Sequence, residues 1–119
     1  MTKAREPAQA AYDVGADRIA EALASGRDVA VLCEGDPFFY GSFMYLHSRL
    51  SDRFPVTVIP GITSVSAATA RSLRPLVARN EVLTVLPGPI DSAELAARIG
   101  EAEAVVIMKV GRHLGRIRD

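Results

Sequence analysis

Two short stretches hold the residue types from which a small-molecule site is built. In Val29-Ala-Val-Leu-Cys-Glu-Gly-Asp-Pro-Phe-Phe-Tyr-Gly41 an apolar run stops at Gly35-Asp36-Pro37 and an aromatic, helix-compatible segment follows. Gly35 lets the backbone turn sharply or approach a ligand closely. Asp36 can cap a helix or accept from a hydroxyl, and Pro37 suits a first helical turn. In Val56-Thr-Val-Ile-Pro-Gly-Ile-Thr-Ser64, Pro60-Gly61 forces a second turn, and Thr63 and Ser64 supply hydroxyls just before an Ala-rich segment. Each motif is also an ordinary way to leave a strand and cap a helix, so a ligand role and a purely structural role both stand at this point. Neither is a phosphate cradle of the usual kinds. Gly35 and Gly41 do not make Gly-x-Gly-x-x-Gly, and no Gly-Lys-Ser/Thr follows.

The elements that must position these loops follow from periodicity. Tyr12, Ile19 and Leu23 mark an apolar stripe that predicts a helix over 8–24, closed by Ser25-Gly26. The run from Val29 and the run Val56–Ile59 both read as buried parallel strands, whose exits would lie side by side at one sheet edge within reach of one small molecule. Phe39, Phe43, Leu46 and Leu50 fall on one helical face and predict a helix after the first loop. Pro75 breaks the chain after the Ala-rich helix, and a domain boundary is expected there, giving domains 1–74 and 75–119. Glu81–Leu86 reads as a third strand, Asp91–Ile99 as a helix capped by Asp91 or Ser92, and Ala104–Met108 as a fourth strand. The expected fold class is therefore α/β: the parallel-sheet half of one domain followed by the start of a second.

Composition narrows the function classes. The 119 residues are 49% hydrophobic, with 14 basic and 14 acidic side chains and no formal net charge, so a core can form but the footprint of a nucleic-acid binder is missing. Arg112, Arg116 and Arg118 read as a solvated helix face. The lone Cys33 has no partner for a disulfide or a zinc site and reads as a small buried hydrophobe. His47, Lys109 and His113 have no sequence context that lifts them above structural or surface residues. No apolar run is long enough for a membrane span, and a soluble cytoplasmic protein is expected.

With the two loops in place, the chain resembles the tetrapyrrole methylase family. The resemblance runs from about Tyr12 to Ile117. It rests on Val29 to Phe43 with its Gly-Asp-Pro, on Val58-Ile-Pro-Gly-Ile-Thr-Ser64 with the Ala-rich helix, and on Val105-Val-Ile-Met-Lys-Val-Gly111. The Phe-Phe-Tyr-Gly-Ser-Phe continuation and Met-Lys-Val-Gly point to the branch that methylates C20 of precorrin-2 in cobalamin biosynthesis. Family members have two α/β domains and bind S-adenosylmethionine in the cleft between them. The resemblance thus implies that Gly35 and Asp36, with Phe39 and Tyr40, hold the amino-acid end of that cofactor. It implies contacts from Thr63 and Ser64 in the neighbouring loop, and from Met108 near the adenosyl portion. The implied partner is a small-molecule tetrapyrrole, in a homodimer, with no nucleic acid and no membrane. No metal site or catalytic base is implied, because the electron-rich macrocycle carbon can itself attack the methyl group.

Two departures shape the expectation. Family members open with a strand and a glycine-rich loop, whereas this sequence begins at a helix and ends within the second domain. The reading is a partial enzyme. A uroporphyrinogen III or precorrin-4 methyltransferase, or a non-catalytic remnant or binding module, remains open beside it.

Overall fold

The residues from Glu6 to Ala24 form one long helix, α1, and Phe43–Leu50 form a second, α2, which packs against it. These elements belong to a computed structural model that describes residues 6–119, in two compact units that divide between Thr63 and Ser64. In the first unit, α1 offers the small side chains Ala16 and Ala20, which are buried against Leu50, with Ile19, Leu46 and Phe54 around them. Tyr12 stacks on Tyr45 at 4.9 Å between ring centroids. Arg49 reaches across from α2 to Asp13 at 2.6 Å and to Gln9 at 2.9 Å. The ion pair is solvent-exposed, so its stabilising share is about 0–1 kcal/mol and the apolar contact carries the helix pair. Gly26, at φ +81°, ends α1, and the Arg27 N–H donates back to the Ala22 carbonyl at 3.2 Å in the manner of a Schellman stop.

Two expectations fail in this unit. Residues 27–33 and 55–63 are without regular secondary structure, and neither the run from Val29 nor Val56–Ile59 enters a β-ladder. Their composition favours strands, but strand pairing needs a neighbour at about 4.8 Å, and neither run pairs with the other. Cys33, expected to be buried, is accordingly exposed. The second correction concerns the helix after the first loop. It starts at Phe43, not at Phe39, because the caps of Asp36 close a separate turn.

The second unit follows the sequence pattern closely. Helix α3 covers Ser64–Ser72, and an irregular stretch follows in which Leu73 and Arg79 take positive φ. Strand β1 (Leu83–Pro87), helix α4 (Ser92–Gly100) and strand β2 (Ala104–Met108) make a parallel two-stranded unit in the register Leu83↔Ala104 to Pro87↔Met108. Parallel strands need such a crossover, and Leu86 with Leu95 is its buried centre. Asp91 is the N-cap of α4, accepting from the Ala93 N–H at 2.9 Å and the Glu94 N–H at 3.4 Å. A short 3₁₀ turn at Gly111–His113 leads into α5 (Leu114–Arg118). The α/β class is as expected.

Gly15 lies mid-way along α1, where a Cβ would meet only Leu46 Cδ2 at an ordinary 3.6 Å. Gly15→Ala is therefore expected to stabilise the chain by about 0.5–1 kcal/mol by restricting the unfolded backbone. Chemical denaturation of the two proteins checks this, and a loss of stability would show that α2 cannot yield to the added methyl.

Candidate functional site

The two motifs meet. Asp36 accepts through Oδ1 from the Phe38 N–H at 2.9 Å and the Phe39 N–H at 3.0 Å, which closes the turn after Gly35. Through Oδ2 it accepts from the Gly61 N–H at 3.0 Å, across 25 residues of chain. One carboxylate thus joins the first loop to the second. Gly61 N–H, then Phe38 N–H, hold the Asp36 carboxyl below its ordinary pKa, with partial desolvation opposing and Phe39 N–H adding a smaller push down. Hydrogen bonds to the charged form are the physical cause.

Glycine is required at this junction for two separate reasons. Gly35 sits at φ +69°, a region that L side chains rarely adopt, and a Cβ there would lie 3.6 Å from the Ile62 carbonyl oxygen. At Gly61 the obstacle is space, since a Cβ would run into the Gly35 carbonyl oxygen and come within 2.8 Å of the Gly35 carbonyl carbon. Gly41 closes the first loop in a similar way, with the Asp36 carbonyl oxygen 2.8 Å from where its Cβ would stand and the Pro37 carbonyl oxygen nearer still. Between them Tyr40 takes φ +53°, and its ring meets that of Phe39 edge-on at 5.3 Å. Phe38 turns the other way and packs on His47, at 5.1 Å, and on Phe43, at 5.9 Å. His47 thus has an aromatic partner that sequence spacing did not reveal.

Of the residues singled out from sequence, Gly35, Asp36, Phe39, Tyr40 and Thr63 lie in the first unit, on the two joined loops. Ser64 opens α3 and Met108 ends β2, both in the second unit. There the Pro87-Gly88 turn also meets a strand exit. The Gly88 N–H donates to the Met108 carbonyl at 2.7 Å, and a Cβ on Gly88 would press on Ile117 Cδ1 and on the carbonyl oxygens of Met108 and Lys109, all at 3.1–3.3 Å. Arg112, Arg116 and Arg118 are all exposed, as expected of a solvated face, and Arg116 makes a contact besides. Its guanidinium donates to Ser92 Oγ at 2.7 Å and to the Gly88 carbonyl at 2.5 Å, tying α5 to the turn after β1. Nothing in the spacing of the arginines signals that contact. Among the described residues, no group of His, Cys, Asp and Glu could hold a metal ion, and no helix is long and apolar enough to cross a membrane.

The model of the tetrapyrrole (corrin/porphyrin) methylases matches residues 1–119. The chain belongs to this family. It is 56% identical over 107 residues to the precorrin-2 C(20)-methyltransferase of a Sinorhizobium species, a match that covers 90% of this chain and 44% of the relative. It is 49% identical over 108 residues to the cobalamin biosynthesis protein CobIJ of Mycobacterium bovis, covering 91% of this chain and 21% of the relative. The cobalt-precorrin-2 C(20)-methyltransferase of Salmonella typhimurium is 26% identical over 110 residues, covering 92% of this chain and 46% of the relative. The chain thus spans less than half the length of these curated relatives. Membership makes the joined loops the candidate site, because Gly-Asp-Pro and Pro-Gly-Ile-Thr-Ser are the segments on which the family resemblance rests.

Two measurements test the junction. With the folded pKa of Asp36 depressed, its contribution is present above the unfolded pKa and is lost as pH falls through the lowered folded value. The Gly61 amide resonance is expected to move in acid, below the ordinary aspartate range, and Asp36→Asn is expected to abolish that movement. A Gly61 amide that titrates identically in the Asn variant would show that another group governs it. Gly61→Ala is expected to separate the loops, read as loss of the slow exchange of the Gly61 amide, while α1 and α2 keep their helical signal.

Proposed function

We propose that this chain forms part of an S-adenosylmethionine-dependent methyltransferase acting at C20 of precorrin-2 in cobalamin biosynthesis. The observation that carries this reading is the 56% identity, over 90% of the chain, with the Sinorhizobium protein of that name.

The chemistry of the loops suits the cofactor. A sulfonium cation is held by carbonyls, a carboxylate and apolar walls, and neither Gly35–Gly41 nor Pro60–Ser64 contains a basic side chain. The turn at Gly35, where a Cβ would meet only the Ile62 carbonyl oxygen at 3.6 Å, leaves main chain bare for close approach. When bound, S-adenosylmethionine supplies an electrophilic methyl group. Gly35 and Asp36, with Phe39 and Tyr40, are assigned its amino-acid end, and Thr63 and Ser64 are assigned contacts from the second loop. Met108 is assigned to the adenosyl portion on the family resemblance alone. These residues align and exclude water, which are large sources of rate in a displacement that needs no protein nucleophile. The reading carries with it a small tetrapyrrole as substrate and a homodimer, both taken from the same resemblance, and the domain portions at 1–74 and 75–119 and cytoplasmic location expected from the sequence pattern.

Titration calorimetry with S-adenosylhomocysteine, together with mass analysis of precorrin-2 after incubation with labelled S-adenosylmethionine, tests the proposal. Asp36→Ala is expected to weaken cofactor binding about tenfold or more, the loss expected when a charged hydrogen-bonding group is removed. Unchanged affinity with a lower melting temperature would reduce Asp36 to a turn residue. A methyl group at another ring carbon would replace the C20 assignment with that of a different tetrapyrrole methyltransferase. Binding without any transfer would favour a binding module.

A further inference from the structure

The carboxyl ends of β1 and β2 carry a clamp to which the proposed chemistry assigns no role. In open parallel sheets ligands lie beyond the carboxyl ends of the strands, and the ladder of the second unit stops there at Pro87↔Met108. Gly88 is held from both sides. Its N–H donates to the Met108 carbonyl at 2.7 Å, and its own carbonyl accepts from the Arg116 guanidinium at 2.5 Å. The other arm of the guanidinium donates to Ser92 Oγ at 2.7 Å, in the first turn of α4. Arg116 thus grips the connection from β1 to α4 at both of its ends, and a continuous path runs from its side chain through Gly88 to the end of β2. Just past that end the backbone is strained, with Lys109 at φ +56°. A non-glycine residue keeps such a conformation only where its surroundings over-determine it. Here the carbonyl oxygens of Met108 and Lys109 and the Ile117 side chain close the space beside Gly88, all within 3.1–3.3 Å of where a Cβ would stand.

We propose that Arg116 is a positioning residue for the methyl donor: acting through Gly88, it fixes the conformation in which the end of β2 presents Met108. This rests on the reading above that gives Met108 to the adenosyl portion. Three features favour positioning over a general brace of the unit. The buried centre of the unit is Leu86 with Leu95, and Arg116, being exposed, adds nothing to it. Strands β1 and β2 are joined by their own ladder and α4 is capped by Asp91, so none of these elements needs the guanidinium in order to form. What the guanidinium adds is direction. Its planar fork fixes the angle between two donated N–H groups, and each bond is charge-assisted and so stronger than a neutral one. A single side chain therefore sets the turn at Gly88, and the Gly88 N–H passes that setting to the Met108 carbonyl.

The test uses the 119-residue chain, in which Met108 is one of 3 methionines and its methyl resonance can be followed by itself. In the free chain, Arg116→Met is expected to speed hydrogen exchange of the Gly88 amide about tenfold or more and to shift the Met108 methyl, while the ladder amides of β1 and β2 keep their protection. Titration with S-adenosylhomocysteine, read on that methyl, is expected to give a dissociation constant about three to ten times that of the unaltered chain, the scale of one lost hydrogen bond. Ser92→Ala removes the arm that does not lead to Met108 and is expected to leave both readouts within about twofold. Arg116→Lys, whose ammonium can still donate to the Gly88 carbonyl, is expected to recover most of the affinity. Ladder amides that lose protection together with Gly88 would make Arg116 a general brace and overturn the proposal. So would equal effects of Ser92→Ala and Arg116→Met, or a loosened Gly88 with unchanged affinity. If the Met108 methyl of the unaltered chain ignores S-adenosylhomocysteine, the cofactor reading itself fails and the positioning role falls with it. A response in the unaltered chain, with the same affinity in Arg116→Met, would sink the positioning role alone.

Discussion

The carboxylate of Asp36 is the constraint on which the candidate site depends. One oxygen shapes the turn that follows Gly35 and the other holds Gly61, so the conformation of the first loop and its distance from the second are fixed by a single side chain. Charge-assisted bonds of this kind are stronger than neutral ones. They also commit the acid. Three backbone N–H groups already donate to Asp36, so what it contributes at the junction is a set arrangement of main chain and a negative charge kept there. Glycine at 61 completes the junction, because any side chain would occupy the place of the Gly35 carbonyl.

The two units solve the same local problem by different means. In the second, β1 and β2 are in direct register, and the turn after β1 needs only a backbone bond from Gly88 to Met108, braced by Arg116. In the first, the corresponding runs do not pair, and a side chain has to make the link between the loops. An aspartate at the end of an unpaired run is suited to this task, since its two oxygens can serve two segments of chain at once.

What the sequence made legible was local. The stop at Gly26, the cap at Asp91, the end of the Ala-rich helix before Pro75 and the runs that became β1 and β2 all rest on signals within a few residues, and each appears in the structure. Asp36 was also correctly seen as a cap, but the pattern did not show that it caps an isolated turn and leaves α2 to begin at Phe43. Strand pairing is a different kind of property. Val29 to Cys33 has the composition of a strand, yet a ladder requires a partner that periodicity does not supply. For the same reason the contacts of Arg49 with Asp13, of Arg116 with Gly88 and of Asp36 with Gly61 were out of reach. Each joins positions more than twenty residues apart in the chain.

The separation between what holds the first unit together and what shapes its loops bears on how the site works. Burial among the described residues of this unit is confined to Ala16, Ala20 and Leu50, at the contact of α1 with α2, while the runs leading to both loops are exposed. Local opening free energy follows buried contact, so the helix pair is the stable part and the loop junction the part that opens first. A ligand gripping both loops therefore gains by closing a junction that is already prearranged by Asp36, and it need not reorganise the helices. The same hierarchy makes the apolar runs the weak flank of the site, because they carry no ladder bonds and most of their side chains are exposed.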